Sequence, residues 1–573
     1  MMGPRYFAFV GPAEQVVALE RRAGQVARAS GLAPVFRQEG IAVFAEPGDG
    51  PVPCAELLVL GTLFERATGR SVGDRWERRL IRHHWGSYVA FVLDPHAAGW
   101  SIVRAPFGEL GCYYWSDGAL VVAASDVALL CAWAGATPPI DWAAVAGHLI
   151  APDLRPSATC LSGIQELLGG TCLRIANGSY AVEELWSPWA YVGRADDADL
   201  DTLATGLRAV TTECIGRIGG GFSRVLVALS GGLDSSIVAA SLAATGVPFE
   251  CMTLVTADAL GDERPFARAV TDALGVRLSE APRLVAGVDV GRSNAAHLPR
   301  PVGRYFAQES ERHFAAIARA AGADAILRGG GGDNVFCYIQ SVRPIVDRIR
   351  RQGWIPALET LGDVCRLTGC SAPTAVHRTL RRLRRPPAYP VAVDTSLLSR
   401  ELLAETPVGP SWRDAPDDAL PGQAAHVASV LTMANYMEPL APELRLPLLS
   451  PLMSQPIVEF CLGVPSWLWC RGGNNRMVAR RAFAGDLPKA IVKRRGKGAP
   501  DSFEIEIYEA NRAALRELLE DGLLAAHGLI DMDGVRAVLA DTRPVRGIAY
   551  SRVMQLGETE AWARSWTGRR VLP

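Results

Sequence analysis

The sequence predicts two α/β units in one chain. The first, over residues 1–190, is an α+β sandwich of antiparallel sheets, and the second, over residues 200–573, is built on a parallel sheet with helical C-terminal additions. Three observations predict this. The 573 residues exceed what one hydrophobic core usually organises. Short apolar strands broken by Gly and Pro fill the first third. Beyond residue 200, continuous apolar runs alternate with helical patterns, which is how strands covered on both faces read.

In chain order, Ser87–Leu93 reads as a strand ended by an Asp-Pro turn, and Trp100–Arg104 as its neighbour. Tyr113–Trp115 and Ala119–Ala124 flank an Asp117-Gly118 turn. Leu185-Trp186-Ser187-Pro188-Trp189, followed by the acidic Ala195–Asp199, reads as a linker. An amphipathic helix over Leu203–Ile218 then leads to the apolar strand Val225–Leu229, a Gly-rich turn and an Ala-rich helix. A second strand spans Phe249–Thr253, a helix about Arg264–Leu274, and a third strand Ala325–Leu327, which runs into Gly329–Gly332. After residue 340 the pattern is mostly helical.

The 59 Lys and Arg balance 60 Asp and Glu, so no whole-chain field favours nucleic acid or an anionic membrane, and neither is expected as a partner. No long apolar run or signal pattern occurs, so a cytoplasmic protein is expected. The 12 cysteines are scattered without a Cys-x-x-Cys pair and read as small buried hydrophobes. His297, His313 and His426 read as core or surface residues. Arg343–Arg385 carries two arginine clusters, readable as a solvated helix face or as a docking surface for an acidic partner.

Ser230-Gly231-Gly232-Leu233-Asp234-Ser235 lies between an apolar strand and a helix. Glycines let the backbone approach an anion, the helix start offers unpaired N–H groups, the hydroxyls donate, and Asp234 suits the Mg²⁺ that travels with a polyphosphate. No Gly-Lys-Ser/Thr follows, so this is not a Walker loop. A second Gly-rich turn, Arg328–Asp333, ends another strand, and Asp333 could give the metal a second carboxylate.

The first string resembles the pyrophosphate loop of ATP-pyrophosphatases, and its spacing to the second resembles the asparagine synthetase family. Asp262–Ala267, Glu443–Leu449, Arg476–Phe483, Leu487-Pro488 and Arg495-Gly496-Lys497 resemble further family segments in the same order. Gly86–Phe91 and Arg104–Gly108 resemble sheet signatures of the family's glutamine amidotransferase half. The chain opens Met1-Met2-Gly3 and its first cysteine is Cys54, so that half is expected to be degenerate, without glutaminase chemistry. The run Gly329–Cys337, together with Asn435–Leu440 and Pro451–Glu459, resembles lasso-peptide cyclases, with Gly330 expected to leave room for a bulky substrate.

The resemblance implies ATP and Mg²⁺ as cofactors. It implies a nucleotide site of Leu229, Ser230, Gly231, Gly232, Asp234, Ser235, Met252, Thr253, Gly329 and Gly330, with Asp234 and Asp333 on the metal. It implies Lys497, Glu438 and Arg495 as catalytic groups, a core peptide cut from its precursor as substrate, and a leader peptidase and a leader-binding protein as partners. A β-lactam synthetase or another amino-acid amide ligase is the alternative that the same resemblance leaves open.

Overall fold

The computed structural model describes residues 3–47, 56–66, 75–94, 99–195, 198–256, 261–385, 389–404, 411–438, 446–496, 501–543, 545 and 547–569. Two antiparallel sheets open the chain. The six-stranded one runs Ala33–Gln38, Ile41–Ala45, Tyr6–Val10, Val121–Ala124, Tyr113–Ser116, Gln165–Glu166. The five-stranded one runs Ser179–Glu184, Thr171–Ala176, Gly99–Arg104, His84–Asp94, Leu57–Glu65. Their inner faces meet in a sandwich core in which Tyr6, Ala8 and Val10 oppose Val89 and Phe91.

The alternate side chains on these strands are apolar as well, because the rest of the chain covers the outer faces. Phe7 and Phe9 pack into a core shared with Tyr508 and Trp562, while Tyr88, Ala90 and Val92 join one shared with Leu207, Ile457 and Val458. Period-two alternation therefore vanishes from the sequence where both sheet faces are buried.

The expected linker is different in kind. Trp186 is 2% exposed, stacks edge-on against Phe107 and Trp412, and donates its indole N–H to Glu459 Oε1 at 2.9 Å. Burying a large ring with its one donor satisfied ties the two halves together there.

The second half holds a five-stranded parallel sheet in the order Leu278–Pro282, Phe249–Val255, Val225–Ala228, Ala325–Arg328, Leu448–Leu449. The chain builds outward from Val225–Ala228 in one direction and then returns to build on its other side. The switch point, where ligands collect in open α/β sheets, is therefore between Val225–Ala228 and Ala325–Arg328. Helix Arg264–Leu274 has Pro265 in its first turn and ends at Gly275 in the left-handed region.

The arginine-rich segment folds as three helices, Arg343–Gln352, Trp354–Thr368 and Ala372–Leu383. Its surface is not purely charged, since Trp354, Ile355 and Leu358 are all exposed. His426 is a core residue whose Nε2 pairs with the Val335 carbonyl at 2.8 Å. Burial pulls its pKa down to about 4.

Candidate active site

Register places the two glycine-rich turns side by side. Ala228 pairs with Arg328 and Leu327 with Leu449, so the Ser230 loop, the Gly329 turn and Ser450 all leave the sheet at one level. The loop is held from within: the Ser230 N–H donates to Ser235 Oγ at 3.1 Å, the two hydroxyls lie 3.2 Å apart, and the Gly232 N–H faces Ser230 Oγ at 3.3 Å. Helix Leu233–Thr245 starts directly behind it, with its N-terminal end toward the loop. Gly231 has φ +66°, and a Cβ there would come within 2.5 Å of Phe266. A Cβ on Gly329 would meet the Ser235 backbone at 2.5 Å. These glycines are what bring loop, helix and neighbouring turn into contact.

Asp234 and Asp333 converge. Arg476 Nη1 lies 2.9 and 2.8 Å from the two oxygens of Asp234 and 2.6 Å from Asp333 Oδ1. Two carboxylates focused on one nitrogen suit a divalent cation, because Mg²⁺ takes oxygen ligands from one or two carboxylates and fills its shell with phosphate oxygens and water. Asp234 and Asp333 would hold it. Arg476 is 7% exposed and sits at φ 52°, a left-handed conformation costly for a side chain of its size.

A cavity of about 330 Å³ opens beside this pair, lined by Ser230, Asp234, Leu254, Thr256, Gly330 and Arg494 among others. Arg494 accounts for much of its wall: its guanidinium donates to the Gly231 carbonyl at 3.1 Å and to Glu263 Oε1 at 2.9 Å, and stacks over Phe266 at 3.9 Å. A second cavity, lined by Arg304, Arg328, Glu311 and Glu438, shares Arg283 and Phe306 with the first. Burial outweighs the acids around Arg283 and Arg328 and lowers both, and it brings Arg304 to about 10.

The structure thus brings Ser230, Gly232, Asp234, Ser235, Gly329, Gly330 and Asp333 together. Gly231 joins them through its carbonyl. Leu229, Met252 and Thr253 are not among the residues that line the cavity: Leu229 donates its N–H to the Met252 carbonyl at 2.7 Å, and all three side chains are buried. Leu254 and Thr256, farther along the same segment, line the cavity instead.

Arg495 is exposed, and it is the adjacent Arg494 that faces inward. Gly330 leaves no free room, since a Cβ there would lie 3.0 Å from Ser450 Oγ and 3.4 Å from both Arg328 and Met433. Glu438 stands in the second cavity, where Arg155 donates to Oε1 and Arg300 Nη2 to Oε2 at 3.1 Å. Burial opposes its charge, but the two guanidiniums outweigh it and hold the carboxyl down at about 2. Asn334 turns away to the Ser429 carbonyl at 2.8 Å. Lys497, Glu443–Arg445 and Cys54 fall outside the described residues. Arg476 and Arg494 had no periodicity or motif to announce them beyond the family segment around Arg476.

The described cysteines of the N-terminal half are buried. Burial pushes Cys112 up to about 11 and Cys160 and Cys172 up to about 12. A nucleophilic cysteine needs the opposite shift.

A Ser-Gly-Gly-Leu-Asp-Ser loop at the switch point of a parallel sheet, with a carboxylate pair beside it, is an arrangement that could hold a nucleotide's phosphates. The chain belongs to the asparagine synthase family, which it matches over residues 207–564, and it is an ATP-dependent, amide-bond-forming ligase. No curated protein matches the chain.

Among solved structures, the allosteric regulatory enzyme of purine biosynthesis is 8% identical, aligning over 48% of this chain and 80% of its own with a TM-score of 0.21. Glutamine phosphoribosylpyrophosphate amidotransferase from B. subtilis, solved with ADP and GMP, is 12% identical over 43% of this chain and 65% of its own, with a TM-score of 0.18. Likenesses this low carry no argument here.

Proposed function

We propose that the protein is an AMP-forming macrolactam synthetase that adenylates an Asp or Glu side chain of a leaderless core peptide and joins it to the peptide's amino terminus, giving a lasso peptide. The observation that carries the adenylation is the convergence of Asp234 and Asp333 beside the Ser230 loop. The buried thiols of Cys112, Cys160 and Cys172, all pushed up by burial, favour an amine supplied by the substrate over one released from glutamine.

In this reading the loop N–H groups and the Ser230 and Ser235 hydroxyls bind the departing pyrophosphate, and Asp234 and Asp333 hold Mg²⁺, which when bound neutralises phosphate charge. The substrate carboxylate enters past Arg283, Arg304 and Arg328, whose burial leaves them short of anionic partners. Lys497 follows the negative charge that builds on the phosphoryl and then on the carbonyl oxygen, as a compact ammonium can. The tail must be threaded before the ring closes, so positioning is the enzyme's main task. A leader peptidase and a leader-binding protein would deliver the peptide.

The test is to incubate the purified chain with ATP, Mg²⁺ and synthetic leaderless peptides that carry a free amino terminus and an internal Asp or Glu. AMP release with loss of one water from a peptide is expected by mass spectrometry. AMP release only with a small amino acid would move the assignment to a β-lactam synthetase or another amide ligase.

A further inference from the structure

A third cavity, of about 240 Å³, lies between the antiparallel sheets and the parallel sheet. Its wall takes Trp85 and Phe107 from the N-terminal half and Phe222 and Met453 from the C-terminal half. Glu109 is the one ionisable side chain among its described lining residues. We propose that this cavity seats the amine nucleophile, a primary amine carried on an apolar or aromatic group, and that Glu109 takes its proton.

The turn that delivers Glu109 is built for close approach. Gly108 has φ +136°, and a Cβ there would stand 2.5 Å from Ser87 Oγ. The chain can therefore press against the strand His84–Asp94 and project its next residue toward the second half. There Ser87 and the Ser450 backbone face the carboxyl, and the Arg328 guanidinium acts on its charge. Burial pushes the carboxyl up, and its own backbone N–H, Arg328, the Ser450 backbone and Ser87 draw it part of the way back. The balance suits a base, which must be ionised to work yet hold a proton once it has it.

The position is right too. Ser450 Oγ accepts from Arg328 Nε at 2.8 Å, and it is the atom a Cβ on Gly330 would meet first. Gly330 lines the nucleotide cavity and Ser450 the amine cavity, so these two small residues stand between the chambers. Glu438 is pinned by two arginines and is too weak a base for the role.

The step is balanced. The amine lone pair forms the C–N bond at the acyl carbon, the bond from that carbon to the phosphate oxygen breaks with its electrons leaving on AMP, and the amine proton passes to a Glu109 oxygen. The inference rests on the ligase reading in taking the acyl group from an adenylate.

Two measurements on the full chain test it. The first titrates para-fluorobenzylamine by fluorine NMR. Binding is expected in the wild type, weaker by about tenfold in Glu109→Gln, lost when Ser454→Phe fills the cavity, and retained in Glu109→Asp. Equal binding by wild type, Glu109→Gln and Ser454→Phe overturns the seat.

The second follows single-turnover ring closure of a peptide that the wild type activates. Glu109→Gln is expected to slow amide formation at least about a hundredfold, the usual range for losing a general base. Glu109→Asp should keep part of the rate with the same rise toward alkaline pH. Unchanged closure and an unchanged pH profile in Glu109→Gln overturn the base. If no peptide is activated at all, it is the macrolactam reading that falls, while the amine titration still decides the seat.

Discussion

Two buried charge clusters in this molecule look alike in composition and differ in what they leave open. One is the chain of Arg104, Glu166, Arg155, Glu438 and Arg300 across the junction of the halves. Arg104 and Arg155 both reach Glu166 Oε1 at 2.6 Å, Arg155 also reaches Glu438, and Arg300 lies 3.1 Å from Glu438. Each carboxylate has two guanidiniums against it. The other cluster is Asp234, Arg476 and Asp333, where one guanidinium serves two carboxylates at the mouth of a cavity. The first is closed and cements the fold. The second brings two carboxylates to one nitrogen beside a cavity, an arrangement that suits a bound divalent cation. Sequence type alone does not separate an Asp or Glu of one kind from the other; the geometry around the carboxylate does.

The largest expected effect comes from breaking the open cluster. Asp234→Ala removes one of the two converging carboxylates, and AMP formation should fall below detection while circular dichroism shows the fold intact. Normal AMP release would end the nucleotide assignment. The closed cluster should respond in the opposite currency. Glu438→Gln takes the carboxylate from Arg300 and one of two from Arg155, and losing one partner of a buried ion pair costs about 3–5 kcal/mol. Urea unfolding should show that loss. If stability holds while ring closure fails, Glu438 is catalytic and the division between the clusters is wrong.

How far the sequence carries this comparison depends on the kind of segment. The strand Val225–Ala228 and the helix Arg264–Leu274 were legible because burial on both faces, Pro265 and Gly275 each leave a local mark. The family motifs located the Ser230 loop and Asp333. What was not legible is side-chain direction in irregular chain. Arg494 and Arg495 are neighbours with opposite aspects. Met252 and Thr253 end up inside the sheet because their strand continues to Val255, carrying the cavity-lining role on to Leu254 and Thr256. Trp186 reads as part of a linker because Pro and Ser flank it, and only its contact with Glu459, 273 residues away, makes it a staple. Arg476 adopts a backbone conformation its residue type disfavours, which no local pattern can announce.

A third kind of buried carboxyl, with no cation against it among the described residues, sharpens the comparison. Glu558 is fully buried on the helix Ala549–Thr567. Its oxygens take the Ser293 hydroxyl and, at 3.1 Å, the Val302 N–H. Burial dominates and raises its pKa to about 8, with those hydrogen bonds pulling weakly the other way. The folded protein therefore keeps this proton at neutral pH, whereas the unfolded chain gives it up near the ordinary value of about 4.3. Since the folded state then binds more protons, stability falls as pH rises between those two values and levels off above the folded one. The cost at alkaline pH is on the order of 5 kcal/mol. Glu558→Gln mimics the protonated form, with an amide N–H to offer Ser293 and a carbonyl to accept from Val302. Its melting temperature relative to wild type should climb between about pH 5 and pH 8.5, because every other titrating group is shared and cancels in the difference. A difference that stays flat across that range would mean the carboxylate is ionised in the fold and has found a cation, which would place Glu558 with the closed cluster instead.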